Sequence, residues 1–368
     1  MAKFTFFTLV LAFFYLGFFL KKNNRIQKYR LMDRNHTTVL KSLAILMVVW
    51  GHVGATLGVS NIQFIGGVGV SLFLICSGYG LFTSYKINKE KYGEADALKD
   101  YWKKKIIKVI IPYWIVELIG LGVTHKWDIG VVIKDLFFIT PATPYGWYMQ
   151  YLIICYILFW AVTKLKVYIL ISKYNFHYYL IAGFLLWFVT ESLFFANPDM
   201  PFLKARQMFS FPLGVLLSLY IDRIVEILSS KKVTVYFMLI GMFGLFVTVF
   251  SQLSLVKKLP YLISNTISLF TVLPIALSII VITMAVPFIF QNQFLYQTGK
   301  YSYELYLIHA FSLDLIDKSI INLLEFILVT LILVIGLSKL QKIIKIKVTS
   351  NLDRRKYGRF NGGYPYKE

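Results

Sequence analysis

Eleven apolar stretches run through this chain, each about as long as the roughly 20 residues that cross a bilayer as an α-helix. In lipid, every backbone N–H and C=O must find its partner inside the segment, which leaves the helix as the form such stretches take. The stretches cover residues 4–20, 37–57, 64–85, 106–124, 145–163, 176–196, 207–222, 233–251, 262–287, 301–317 and 319–338. The sequence therefore predicts an all-α, polytopic transmembrane helical bundle of about ten core spans behind one N-terminal span.

The composition agrees with a membrane protein. The chain is 58% hydrophobic with a mean hydropathy of +0.66, whereas soluble domains are about 45–50% apolar. The net charge is +21, and the basic residues flank the apolar stretches instead of forming a basic soluble domain. The lipid bilayer, and not nucleic acid, is therefore the expected partner. Cys76 and Cys155 both lie in apolar stretches, which favours helix packing over a disulfide or a zinc site.

The placement of Lys and Arg predicts the orientation in the membrane. If the basic segment 21–34 faces the cytoplasm, alternate connections and the C-terminal tail hold most of the 39 basic residues. This bias predicts a multi-pass protein of the plasma membrane with its N-terminus outside and its C-terminus in the cytoplasm. The charges of the first stretch follow its apolar run and no small-residue cleavage site is present, so a retained anchor is expected instead of a signal peptide.

Two ionisable residues, Lys41 and His52, lie in the apolar stretch 37–57. Eleven residues on an α-helix turn through about 1100° and rise by about 16.5 Å, so both side chains share one face. Ionisable groups are costly in hydrocarbon and usually mark a substrate or proton pathway. The pattern predicts a cation near one membrane surface with an imidazole deeper on the same stripe.

A basic pair, Lys105 and Lys108, lies at the cytoplasmic start of the fourth stretch. Spacings of three and four residues place Lys105, Lys108 and Pro112 on one helical face, where the two cations can grip one polyanion. A basic cluster that only stops membrane transfer is the alternative explanation.

A late segment brings several polar residues into an apolar stretch. Residues 299–311 carry Ser302, Tyr303, Glu304, Tyr306 and His309. A single buried His often only satisfies local packing, but one that shares a segment with an acid and two tyrosines favours a polar cavity.

Taken together, these segments resemble the acyltransferase-3 family of integral membrane acyltransferases over about residues 36–338. Members carry a basic residue and, after ten positions, a His on their first core helix, which Lys41 and His52 match. The remaining matches are the Gly-rich segment from Gly69 to Gly78, the basic pair ahead of a proline at Lys105, Lys108 and Pro112, and the late segment with Ser302, Tyr303, Tyr306, Leu307 and His309. Two departures are the use of Lys where Arg is frequent and Ser71 where many members carry an acid.

The resemblance implies an acyltransferase domain at 35–340, after an N-terminal anchor and basic cytoplasmic loop at 1–34 and before a basic tail at 341–368. It also implies an O-acyltransferase whose donor is acyl-CoA, usually acetyl-CoA, on the cytoplasmic side. The acceptor is then a hydroxyl of a surface glycan or a lipid-linked sugar, often reached from the other side. No metal is implied.

The resemblance also suggests roles for individual residues. His52 is the expected general base, because an imidazole with an ordinary pKa of about 6.5 suits proton abstraction near neutral pH. Further catalytic candidates, as donors to the developing oxyanion, are His309, Tyr303, Tyr306 and Ser77. The cations that would hold the CoA phosphates are Lys41, Lys105 and Lys108.

A transporter or flippase for a polar or lipid-linked substrate is the alternative function. In that case Lys41, His52, Glu304 and His309 would form a proton or substrate pathway. Duplicated halves and discontinuous helices would favour transport, and the sequence indicates neither.

Overall fold

The structure is a computed structural model that describes residues 30–124, 127–168, 176–194, 204–228, 230–313, 316 and 320–360. Within these residues the chain forms helices and no strand. The predicted N-terminal span at 4–20 and the end of the tail at 361–368 lie outside the described residues.

The described helices are numbered in chain order. They are α1 (Arg34–Thr56), α2 (Phe64–Tyr92), α3 (Tyr101–Val123), α4 (Ile129–Leu136), α5 (Trp147–Tyr168), α6 (Phe176–Phe194), α7 (Ser210–Leu219), α8 (Ile221–Leu228), α9 (Lys231–Phe250), α10 (Ser254–Lys257), α11 (Tyr261–Ala285), α12 (Pro287–Phe290), α13 (Gln293–Lys300), α14 (Ser302–Ser312) and α15 (Ile320–Phe360). Short 3₁₀ turns lie at Ser60–Ile62 and Ala205–Gln207, and α3 contains a π-helical turn at Ile106–Ile110.

Eight of the described helices are long and apolar enough to cross a membrane: α1, α2, α3, α5, α6, α9, α11 and α15. Each coincides with one of the predicted apolar stretches. Large apolar side chains remain exposed along the outer faces of α9 and α15, such as Phe246 and Leu328, where a bilayer would cover them. The predicted fold class, a transmembrane helical bundle, is confirmed.

Two predicted spans, 207–222 and 301–317, form shorter helices. At 1.5 Å per residue, α7 and α14 are about 15 and 16 Å long, roughly half of a hydrocarbon core of about 30 Å. The first stretch breaks at Tyr220 before α8, and the second begins only after a break at Tyr301. Both breaks fall at a tyrosine, so neither a change in hydropathy nor a Pro or Gly at the break signals them in the sequence. The number of membrane crossings therefore stays a prediction.

Helix α2 lies at the centre of the bundle and packs against α1, α7 and α11. Small residues make this close packing possible. A Cβ on Gly69 would collide with the backbone carbonyl of Ala44 on α1, and one on Gly78 would collide with the carbonyl of Phe211 on α7. The Gly-rich segment therefore acts in helix packing.

Helix α1 is fixed at its start. Asp33 caps it by accepting a hydrogen bond from the His36 backbone N–H at 2.7 Å. Helix α13 leads into α14 beside this start, where Gly299 approaches the Thr38 carbonyl too closely for any side chain. The two chain segments therefore run side by side, which carries α14 along α1 towards His52.

Candidate active site

Two histidines from distant parts of the sequence meet inside the bundle. His52 Nδ1 on α1 lies 3.0 Å from His309 Nε2 on α14, with the two rings nearly parallel. His309 Nδ1 lies 2.6 Å from the backbone carbonyl oxygen of Tyr306. His309 is fully buried, whereas His52 is half-buried and lines a cavity.

These contacts fix the tautomers of both rings in their neutral form. A carbonyl oxygen only accepts, so His309 Nδ1 carries the proton that it donates to Tyr306. His309 Nε2 is then an acceptor, and it takes its hydrogen bond from His52 Nδ1–H. The remaining nitrogen of His52, Nε2, keeps its lone pair, which is the state that a general base requires.

The cavity beside His52 has a volume of about 950 Å³. Its lining comes from the end of α1, the 3₁₀ turn and start of α2 that follow it, and the start of α5 with the segment before it. The 3₁₀ turn at Ala205–Gln207, the region from the end of α9 to the start of α11, and Tyr306 of α14 complete the lining. Polar lining residues include Gln63, Tyr145, Arg206 and Gln252. This volume is large enough to hold a sugar unit of a larger acceptor.

The three hydroxyl groups suggested as oxyanion donors, those of Tyr303, Tyr306 and Ser77, already form hydrogen bonds within the protein. Tyr306 donates to the Tyr145 carbonyl at 2.6 Å, and Tyr303 donates to the Val109 carbonyl at 2.6 Å. Ser77 is hydrogen-bonded to the Tyr156 hydroxyl at 2.9 Å and does not line the His52 cavity. Their suggested roles as oxyanion donors stay predictions, which this geometry does not favour.

A second cavity, of about 380 Å³, gathers four lysines. Lys105 and Lys108 line it together, as their spacing suggests, and Lys99 and Lys104 add two further cations. Lys105 is half-buried and holds its ammonium 3.8 Å from the ring centroid of Tyr156, a favourable cation–π contact. We call this space the lysine cavity.

Lys41 is half-buried on α1 and does not line the lysine cavity. It lies within electrostatic range of Lys105 and Tyr156. Two like charges in a partly buried position repel each other, and an anion between them would relieve that repulsion.

The two cavities lie at opposite ends of the bundle. Gly67 lines the His52 cavity and Ser84 lines the lysine cavity, about 25 Å apart along α2 at 1.5 Å per residue. Helix α14 contacts both cavities: Tyr303 bonds to Val109 of the lysine cavity, and Tyr306 lines the His52 cavity one turn later. The π-helical turn that contains Val109 is of a kind frequent at functional sites.

A family profile described as an acyltransferase domain matches residues 37–338. This range includes His52 and His309 and the three lysines predicted to bind CoA: Lys41, Lys105 and Lys108. The chain belongs to the acyltransferase-3 family. It is accordingly a membrane acyltransferase in general class, as the resemblance suggests. No match was found among curated proteins or among solved structures.

Within the part of the chain that the structure describes, no group of three or more His, Cys, Asp or Glu is arranged to hold a metal ion. Metal-free chemistry stays a prediction. Ser71, which stands where many acyltransferase-3 proteins carry an acid, is fully buried and donates to Gln207 Oε1 at 2.7 Å. In this chain the position links α2 to the 3₁₀ turn.

Sequence reasoning did not single out several basic residues of these cavities, among them Lys99, Lys104 and Arg206. The two lysines belong to a stretch of many basic residues in which spacing does not single them out. Arg206 carries a weak signal, because the predicted orientation leaves few basic residues on its side of the membrane.

Proposed function

We propose that this acyltransferase-3 protein transfers an acyl group, with acetyl the first candidate, from acyl-CoA to a hydroxyl of a cell-surface glycan or a lipid-linked sugar. The observation that carries the proposal is the His52–His309 pair, which leaves His52 Nε2 unprotonated at the edge of a 950 Å³ cavity. The lysine cavity at the other end supplies the second requirement, a site for a polyanionic donor.

In the proposed reaction His52 Nε2 takes the proton from the acceptor hydroxyl. The hydroxyl oxygen attacks the thioester carbonyl, a carbon–oxygen bond forms, and the carbon–sulfur bond then breaks. The leaving thiolate of CoA takes the proton from the His52 imidazolium, which returns the base to its starting state. A base of this kind contributes about 10²–10⁴-fold to the rate.

His309 acts in this scheme as a positioning residue. Its Nε2 accepts from His52 Nδ1–H, which keeps the lone pair of His52 on Nε2, and the same contact strengthens when His52 becomes positively charged. The Tyr306 carbonyl holds His309 in the required tautomer. The arrangement performs with a second imidazole the orienting task that a carboxylate performs in a Ser-His-Asp triad.

The lysines bind and do not react. The CoA phosphates would remain with Lys105 and Lys108 in the lysine cavity and extend towards Lys41. The pantetheine arm would pass the wall formed by Tyr303 and Tyr306 to bring the thioester to His52. Because the two cavities share no lining residue, donor binding requires a shift of that wall.

The proposal includes an orientation: the lysine cavity faces the cytoplasm and the His52 cavity faces outside, as the basic residues suggest. Cysteines introduced by Lys99→Cys and Gln252→Cys test it, since each lines one of the cavities and both native cysteines are buried. A membrane-impermeant maleimide should label the Gln252→Cys variant in intact cells and the Lys99→Cys variant only after lysis. The reverse pattern would overturn the orientation.

The activity itself is tested with the full chain in nanodiscs, labelled acetyl-CoA and a cell-envelope extract. The expected result is acceptor-dependent release of CoA that disappears in His52→Ala, with the label recovered as an ester in the glycan fraction. Movement of a lipid-linked sugar across liposomes without thioester loss would instead favour transport. No thioester loss with acetyl-CoA or longer acyl-CoA would overturn the proposal.

A further inference from the structure

Arg206 lies in the His52 cavity and takes no part in the reaction described so far. It belongs to the 3₁₀ turn at Ala205–Gln207, which precedes α7. Its guanidinium lies against Gly67 of α2, where a Cβ would come within 2.9 Å of Arg206 Cζ. The absence of a side chain at Gly67 therefore makes the space that the guanidinium occupies.

The turn that carries Arg206 is attached to α2 by its next residue. Gln207 is fully buried and donates from Nε2 to the Gly67 carbonyl at 2.8 Å, while its Oε1 accepts from Ser71 at 2.7 Å. Ser71 is also within 3.0 Å of the Ser210 hydroxyl. These buried contacts hold the backbone beside Arg206 against α2.

Among the residues that the structure describes, no acid forms an ion pair with Arg206. Its Nε is buried and has no hydrogen-bond partner among the described residues, and burial lowers its pKa to about 10. Lys204, two residues before Arg206, pairs with Glu191 at 3.5 Å. Among the described residues that line the cavity, Arg206 and Lys257 are basic and none is Asp or Glu.

We propose that the acceptor entering the His52 cavity carries an anionic group, a phosphate or a carboxylate, that pairs with Arg206. The planar guanidinium fork matches both groups with two parallel hydrogen bonds. A half-buried cation whose Nε has no partner among the described residues is stabilised when an anion arrives. Arg206 and His52 line one cavity, so one acceptor can place its anion at Arg206 and its hydroxyl at His52. The inference rests on the proposed function and narrows its acceptor class to anionic glycans.

The test is a binding measurement, which does not depend on acyl transfer. Calorimetric titrations of the full chain in phosphatidylcholine nanodiscs would compare an oligo(glycerol phosphate), an oligogalacturonate and a neutral maltooligosaccharide of similar length. The wild-type chain should bind at least one anionic probe about tenfold more tightly than the neutral one. The two anionic probes distinguish phosphate from carboxylate recognition, and adding phosphatidylglycerol shows whether a lipid headgroup competes for the site.

Two kinds of variant locate the effect. Arg206→Gln should remove the preference for the anionic probe, and Arg206→Lys should keep only part of it, because Lys lacks the fork. Gly67→Ala should also weaken the preference without changing any charge, since its Cβ displaces the end of the Arg206 side chain. Gly80→Ala on the same helix meets nothing within 4 Å and, with Arg223→Gln on the exposed face of α8, serves as the matched control.

The outcomes separate this inference from the proposed function. Equal binding of anionic and neutral probes, or an unchanged preference in Arg206→Gln, would overturn the anionic acceptor while leaving the acyltransfer reaction intact. CoA affinity should be unchanged in every variant, because the lysine cavity lies at the other end of the bundle. If Arg206→Gln loses CoA binding together with the anion preference, that variant disturbs the fold. Arg206→Lys then decides the inference: a weakened anion preference supports it, and an unchanged preference overturns it.

Discussion

The lysine cavity and the His52 cavity differ in how their functional groups are held. Three of the four lysines of the first cavity are exposed, and the fourth, Lys105, is half-buried and packs against the ring of Tyr156. In the second, His52 bonds to a fully buried histidine, which in turn bonds to a backbone carbonyl. Long, hydrated lysines tolerate small displacements of a phosphate, whereas proton transfer requires a base held at a defined position.

This difference separates two kinds of interaction. Contacts in the lysine cavity would form when the donor binds and persist through the reaction, so they would lower KM without raising kcat. Contacts of His52 would change as the proton moves, so they would act on kcat. Substitutions in the two regions should therefore have separable kinetic effects, and the predictions below test that separation.

The largest expected effect is that of His52→Ala. Loss of the general base should lower kcat by about 10²-fold or more, because His52 Nε2 is the group that takes the proton in the proposed reaction. The measurement is acetyl transfer by the purified variant, with CoA affinity determined in parallel. Unchanged CoA binding would show that the lysine cavity is intact, and near wild-type turnover would contradict the assignment of His52.

The next effect is that of His309→Leu, with a loss of about tenfold to 10²-fold in kcat. His52 would then lose the acceptor for its Nδ1–H, and its ring and tautomer would no longer be fixed. His309→Gln should recover part of the activity, because the amide oxygen can accept the same hydrogen bond. An equal loss in both variants would show that His309 does not act through hydrogen bonding to His52.

Smaller effects are expected in the lysine cavity. Lys105→Ala and Lys108→Ala should each raise the donor KM by about three- to tenfold with little change in kcat, as expected for lost contacts to a charged group. Lys103→Ala is the matched control, because Lys103 belongs to the same basic segment as Lys105 and does not line the lysine cavity. Steady-state titration of acetyl-CoA at two salt concentrations is the measurement. A kcat loss at constant KM would assign these cations another role.

Local sequence patterns predict much of this molecule. The apolar stretches mark the eight long helices, because hydropathy and length are sufficient to specify a spanning helix. Helical spacing predicts that Lys105 and Lys108 face one ligand, and both line one cavity. The costly placement of His52 and His309 in apolar stretches singles out both as functional candidates, and the structure brings them together in one hydrogen-bonded pair.

Other features depend on contacts between distant residues, which sequence spacing does not contain. The position of the Arg206 guanidinium depends on the space left by Gly67 of α2, which is far from it in sequence. The tautomer of His52 depends on a backbone carbonyl next to His309. The commitment of the Tyr303 hydroxyl to Val109 depends on the π-helical turn at Ile106–Ile110, and no Pro or Gly within that turn signals it in the sequence.

The smallest expected effect tests the wall between the two cavities. Because Tyr303 donates its hydroxyl proton to the Val109 carbonyl, Tyr303→Phe should remove one hydrogen bond worth about 1 kcal/mol of stability and change kcat less than tenfold. An oxyanion donor behaves differently, since its removal costs about 10²–10³ in kcat. Thermal unfolding and acetyl transfer measured on one preparation separate the two cases, with Tyr301→Phe, outside both cavities, as the control. A loss of 10²-fold in Tyr303→Phe alone would mean that donor binding frees this hydroxyl from Val109, and Tyr303 would then act at His52 as well as in the wall.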